Sequence, residues 1–198
     1  GGFVFGENSV AIVKTEAVYP EPPFSPGEPY PEYRFDDCRR EGQGAPNHVY
    51  RAVREALMLL GLDRDRFGTI DWNPLGDIIE PGQRVLVKPN FVNSQHAAGG
   101  DLQSVVTHAS VLRAVIDYVI SALKGNGQIV IADSPERVAD FGRILRTTGT
   151  NDVLAFYESR QDIVGQVGIV ARDMRRQTIE YWKGAISRCA DLEGDPEG

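Results

Sequence analysis

The sequence predicts an α/β domain with a mostly parallel sheet and flanking helices, organised in βαβ crossover units. Two short apolar runs, residues 84–88 (RVLVK) and 128–132 (QIVIA), have the length and the near-continuous apolar pattern of strands covered on both faces. Between them, residues 107–124 repeat apolar side chains at helical spacing. Strand, helix and strand in this order are typical of a right-handed crossover, which makes the two strands parallel.

The first forty-seven residues predict one further strand and a long irregular segment. Residues 9–14 (SVAIVK) have the same apolar pattern and predict another buried strand. Residues 19–47 are rich in proline, which removes backbone donors and excludes a helix or a central strand. We expect a surface excursion there, either a functional lid or a disordered connection.

Residues 48–60 predict an amphipathic helix. Asn47 would cap its start and Gly61 would end it in a left-handed conformation, while Arg54 falls on the polar face. The turn-rich stretch that follows predicts four anchors to the core: Trp72, Leu75, Ile78 and Ile79.

After the second strand of the crossover, Ser134 and Pro135 predict the cap and first turn of another helix that ends near Gly149. Residues 163–171 predict a strand interrupted by glycines, and residues 172–189 follow no single pattern. We interpret residues 1–198 as one domain, and as a fragment of a longer protein because the chain starts without methionine and stops in a loop-like sequence.

Composition excludes several classes of function. The formal net charge of −7 argues against nucleic-acid binding, which needs a basic surface. No apolar run approaches the roughly 20 residues that span a bilayer, so no membrane association is expected. Cys38 and Cys189 are too few and too far apart for a disulfide framework or a cysteine zinc site, and free thiols favour a cytoplasmic protein. A removed export signal stays open, and no motif identifies a cofactor.

Polar side chains follow both strands of the crossover and begin the helix between them. In open α/β sheets ligands bind beyond the carboxyl ends of the strands, so we expect these side chains to meet in one cleft. They are Lys88, Asn90, Thr107, His108, Asp133 and Ser134.

Chemically, the set fits a small anionic metabolite, phosphorylated or carboxylated. Lys88 and the two helix starts with Thr107 and Ser134 would hold the anion, and Asn90 would orient it. His108 and Asp133 would transfer protons, because the pKa of a histidine lies near neutrality.

Simpler interpretations stay open for these residues: Lys88 reaching solvent, Thr107 and Ser134 acting as helix caps, and Asn90 and Asp133 supporting turns. Whether the chain is an enzyme is also open. One alternative is a non-catalytic accessory module that docks a redox or biosynthetic partner through its proline-rich segment. Two others are a metal-dependent hydrolase built on His96, Asp101 and His108, and a structural role.

The ordered motifs resemble the family named domain of unknown function 362. Its members have a strand ending in Lys-Pro-Asn, a Thr-His helix start and a strand ending in Asp-Ser-Pro, which stand here at 88–90, 107–108 and 133–135. The resemblance spans roughly residues 9 to 150. It implies an uncharacterised α/β protein. Some members are associated with ferredoxin-like iron–sulfur modules, for which this chain lacks the cysteines.

Overall fold

The structure is a computed structural model that describes residues 9–38 and 46–192. Its helices and strands, in chain order, are α1 His48–Leu59, β1 Arg84–Val87, α2 Ala109–Leu123, β2 Asn126–Asp133, α3 Phe141–Thr148, α4 Thr150–Glu158, α5 Gln161–Val164, β3 Gln166–Asp173, β4 Gln177–Trp182 and β5 Ala185–Asp191.

The main sheet has three strands in the order β1-β2-β3, and both pairs are parallel. Strands β1 and β2 are joined through α2, which confirms the predicted crossover. Strands β4 and β5 form a separate antiparallel hairpin. The predicted class, α/β with a mostly parallel sheet, is therefore confirmed.

The strand residues that belong to the main hydrophobic core lie on one face of the main sheet. Side chains at alternate positions of the strands, including Val87 and Ile131, join the core beneath those helices. The intervening positions place Leu86, Val130 and Val170 in register on the opposite face, where Val130 is buried but Leu86 is 59% exposed. The prediction that β1 is buried on both faces is therefore wrong, since none of its four residues is fully buried. The strand sequence alone could not predict this, because burial depends on which distant residues pack against each face.

This asymmetry predicts very different effects for two truncations in neighbouring strands. Ile131→Ala should lower the free energy of unfolding by about 2–4 kcal/mol, because Ile131 is fully buried and its loss leaves a cavity. The matched control, Leu86→Ala on the exposed face, should cost less than about 1 kcal/mol. Urea denaturation of both variants checks this, and equal losses would contradict the difference in burial between Ile131 and Leu86.

Helix α2 lies at the centre of the molecule and is buried on almost every side. His108 caps its start, because the His108 side chain accepts a hydrogen bond from the Ser110 N–H. The helix therefore begins two residues later than predicted, at Ala109. Its fully buried Arg113 pairs with Asp117, one turn along the helix, and with Asp37 from the proline-rich segment.

The described part of the proline-rich segment contains neither helix nor strand, as its prolines predict. It is nevertheless not a simple surface excursion, because Phe24 and Phe35 are buried in the core. Glu32 of this segment forms a buried ion pair with Arg54, with 2.6 Å between Arg54 Nε and Glu32 Oε1. Arg54 was expected on the polar face of α1, and this carboxylate explains its burial. Residues 39–45 of the segment lie outside the described residues, and its role in docking a partner stays a prediction.

Two predicted elements are wrong. Residues 9–14 form no strand, and Val10 and Ile12 are more than 80% exposed. A β-prone sequence still needs a neighbouring strand with free hydrogen-bonding groups. The helix predicted from Ser134 begins instead at Phe141, because Asp140 provides the cap by accepting from the Arg143 N–H.

Local signals are confirmed at the boundaries of α1 and α3. Asn47 caps α1, with 2.9 Å between its Oδ1 and the Tyr50 nitrogen. Gly61 and Gly149 both have positive φ after their helices. Among the expected anchors Trp72 and Ile79 are buried, whereas Ile78 is 44% exposed.

The hairpin β4–β5 is attached to the loop between β2 and α3. The Ile179 N–H and the Thr178 hydroxyl both donate to the backbone carbonyl of Arg137. The hairpin therefore lies beside the carboxyl ends of β2 and β3. Across residues 9–38 and 46–192, no helix has both the length and the apolar character needed to cross a membrane.

Candidate functional site

Lys88 and Asp133 meet at the carboxyl ends of β1 and β2. Lys88 Nζ lies 2.9 Å from Asp133 Oδ1 and also donates to the carbonyl of Pro89. The backbone N–H groups of Phe91 and Ser134 donate to the same carboxylate, at 2.6 and 2.8 Å. Asp133 thus ties the loops after both strands together.

These contacts set the charge of Asp133. Burial by itself raises the pKa of the carboxyl, but the hydrogen bonds from Phe91, Lys88 and Ser134 outweigh it and hold the pKa below its usual value. A carboxylate that is already satisfied and has a low pKa is a weak proton acceptor at neutral pH. The geometry therefore favours a positioning role for Asp133.

Asn90 and Thr107 form a second group close by. The Asn90 N–H donates to Thr107 Oγ1 at 2.9 Å, and the Thr107 N–H donates back to the Asn90 carbonyl. The Asn90 amide also donates to the carbonyl of Val105. Thr107 therefore holds the loop after β1 against the start of α2, and it is not the helix cap.

His108 is partly enclosed by aromatic rings. Its imidazole stacks on Tyr19 with ring centroids 4.0 Å apart and contacts the edge of Phe24. Burial lowers the pKa of His108, so the ring is neutral near pH 7. Because Nδ1 accepts from the Ser110 N–H, the proton lies on Nε2, and His108 can act there as a hydrogen-bond donor.

Ser134 lines an open cleft of about 770 Å³ between the loop after β2 and the hairpin β4–β5. Its side chain has no hydrogen-bond partner in the part of the chain that the structure describes, since the helix that it was predicted to cap begins further on. The other residues of the lining are Pro135, Arg137, Met174, Arg175, Arg176, Gln177, Asp191 and Leu192.

Arg175 holds the wall of this cleft. It is 6% exposed, pairs with both carboxylate oxygens of Asp173 and donates to the backbone carbonyls of Glu136 and Ala139. Its donors are therefore committed to the protein. These hydrogen bonds hold the loop between β2 and α3 in place, and Arg137 is part of that loop.

Arg137 and Arg176 are the cations of the cleft that remain available to a ligand. Arg137 donates to the side-chain oxygen of Gln177, a neutral partner, at 2.8 Å. Within residues 9–38 and 46–192 the Arg176 side chain has no hydrogen bond or ion pair, and neither arginine is paired with a carboxylate. An anion could therefore bind here without displacing an internal partner.

The sequence predicted that six polar residues lie at one edge of the sheet, and the structure places all six at that edge. Of these six, only Ser134 lines the cleft of about 770 Å³. The sequence analysis did not predict three other residues of the cleft lining, Arg137, Arg176 and Asp191. The run Met174-Arg175-Arg176 was a visible signal, but nothing local indicates which arginine is buried or that a hairpin faces the loop after β2.

A metal centre finds no support in the described residues. They contain no group of three or more histidine, cysteine, aspartate or glutamate side chains that could hold a metal ion. His96 Nδ1 instead accepts from the Gly100 N–H, and Asp101 accepts from the Gln103 N–H. The predicted group of His96, Asp101 and His108 is therefore not assembled.

Comparison with known proteins gave one match. The sequence pattern of a family described as Domain of unknown function (DUF362) matches residues 85–179, just under half of the chain. No curated protein and no solved structure matches the chain. The match starts well after residue 9 and continues past residue 150, so its bounds differ from the predicted ones. It includes Lys88, His108 and Asp133, nearly all of the three-stranded sheet and the first part of the hairpin, and it confirms that this chain resembles the domain of unknown function 362 family.

Proposed function

We propose that the chain binds a small anionic metabolite in the cleft between the loop after β2 and the hairpin β4–β5. The observation that carries the proposal is the pair of guanidinium groups, Arg137 and Arg176, that line the cleft without a carboxylate partner among the described residues. Guanidinium groups recognise phosphate and carboxylate oxygens through paired hydrogen bonds.

The position of the cleft supports the same function. It lies beyond the carboxyl ends of β2 and β3, the usual ligand-binding edge of an open parallel sheet. Its volume of about 770 Å³ suits a metabolite rather than a single ion. Ser134, whose hydroxyl is uncommitted, would add a hydrogen bond to the anion.

Lys88 and Asp133 support this site indirectly. Their ion pair and the contact from the Ser134 N–H to Asp133 hold Ser134 at the cleft. The predicted role of Lys88 as a direct anion ligand is therefore replaced by a positioning role in this proposal. Asn90, Thr107 and His108 lie outside the lining, so the proposal concerns binding, and proton transfer by His108 stays a prediction.

Removing either guanidinium should weaken anion binding strongly. Arg137→Gln and Arg176→Gln are each expected to reduce affinity for inorganic phosphate about 10- to 100-fold, since a hydrogen bond to a charged group contributes about 1.5–3 kcal/mol. Isothermal titration calorimetry of the wild type and both variants measures this. Higher ionic strength should also weaken binding to the wild type.

Arg188→Gln is the matched control. Arg188 lies on the same hairpin, is exposed and does not line the cleft, so this variant should bind phosphate like the wild type. Equal affinity in all four proteins, or a wild type that binds no phosphate, would refute the proposed site. Thermal unfolding of each variant checks that the fold is retained.

A further inference from the structure

The cleft contains a carboxylate beside its arginines. Asp191, the last residue of β5, is exposed in the lining and pairs across the hairpin with Gln177. Its carboxylate forms no ion pair with any residue that the structure describes. The cleft therefore presents both signs of charge to a ligand.

Gln177 keeps these charges apart. Its side-chain oxygen accepts from Arg137 at 2.8 Å, and its side-chain nitrogen donates to Asp191 Oδ1 at 2.9 Å. Only this orientation of the amide satisfies both neighbours, because a guanidinium cannot accept and a carboxylate cannot donate. One amide group thus lies between the cation and the anion and prevents direct neutralisation.

We propose that Asp191 makes the cleft selective for the phosphate monoester of a polyol over a dicarboxylate. This inference rests on the proposed function. The phosphate binds Arg137 and Arg176, and a hydroxyl of the same ligand donates to the unused Oδ2 of Asp191.

Charge and hydrogen bonding explain why the cleft would bind a phosphate monoester and why it would reject a dicarboxylate. A phosphate monoester carries about 1.5 to 2 negative charges at neutral pH and three acceptor oxygens, which suits two guanidinium groups. A hydroxyl can donate to Asp191, whereas the second carboxylate of a dicarboxylate can only accept and is repelled. Asp191 thereby favours one ligand and rejects the other.

The test is calorimetry of wild type and Asp191→Asn with three probes: glycerol 3-phosphate, inorganic phosphate and succinate. Wild type should bind glycerol 3-phosphate more tightly than succinate. In Asp191→Asn that ratio should fall about tenfold or more, because a hydrogen bond to a charged acceptor is lost and the repulsion of succinate is relieved. Inorganic phosphate should bind the variant as well as the wild type or better.

The variant preserves the rest of the cleft, since the asparagine oxygen still accepts from Gln177. Asp152→Asn on α4, an exposed acid outside the lining, is the matched control and should leave the ratio unchanged. If phosphate binds and depends on Arg137 but Asp191→Asn does not alter the ratio, the selectivity is refuted and the anion site stands. If inorganic phosphate does not bind the wild type, both the anion site and the selectivity are refuted.

Discussion

Replacing Arg113 by alanine is expected to lower the free energy of unfolding by about 3–5 kcal/mol, or to prevent folding, because it leaves buried carboxylates without their counter-charge. Arg113 is fully buried. It pairs with Asp117 and Asp37, both at 3.1 Å, and donates to the carbonyl of Pro23 at 2.8 Å. One side chain therefore joins the central helix to the proline-rich segment.

The electrostatics of this network support the size of the effect. Burial alone would lower the pKa of Arg113, but the carboxylates of Asp117 and Asp37 and the neighbouring tyrosines raise it, so the guanidinium is stabilised in its charged form. Burial already raises the pKa of Asp117 with Arg113 in place. Without Arg113, Asp117 must stay unpaired or bind a proton, and either outcome costs stability.

Urea denaturation measures this loss, with Arg146→Ala as the matched control. Arg146 is 65% exposed and lies 3.9 Å from Asp140, so its removal should cost less than about 1 kcal/mol. The variant Arg113→Lys should lose less than Arg113→Ala, since a lysine keeps the positive charge beside Asp117 and Asp37. A lysine variant as unstable as the alanine variant would contradict this explanation.

Asp133→Asn is expected to cost about 2–4 kcal/mol at neutral pH, because an amide cannot accept from both the Phe91 and the Ser134 N–H groups and also pair with Lys88. The loss should depend on pH. The folded-state pKa of Asp133 lies below its unfolded value, so its contribution is complete above the unfolded pKa and is lost as the pH falls through the folded pKa.

The difference in unfolding free energy between wild type and Asp133→Asn, measured from pH 7 down to pH 2, should therefore be constant down to about pH 4 and shrink below it. Glu16→Gln, at an exposed acid outside every helix and strand, should follow the wild type throughout. A difference between wild type and Asp133→Asn that stays constant over this range would show that the carboxylate charge of Asp133 is not what stabilises the two loops.

Local signals in the sequence predicted much of the fold. The crossover of β1, α2 and β2 follows from apolar periodicity, and Asn47, Gly61 and Gly149 predicted helix ends because their preferences act within a few residues. Periodicity could not tell which sheet face lies open at Leu86, since that depends on where distant helices pack. It also predicted a strand at residues 9–14 that has no partner among the described residues.

Lys88, Asn90, Thr107, His108, Asp133 and Ser134 lie at one sheet edge because chain order and the rule of parallel crossovers determine where strands end. Tertiary structure alone decided their contacts: Asp133 is satisfied by two loops, and Ser134 is left uncommitted because Asp140 caps α3. The cleft of Arg137, Arg176 and Asp191 joins residues about forty to fifty positions apart. No local preference encodes that contact, because it depends on a hairpin packing against a distant loop.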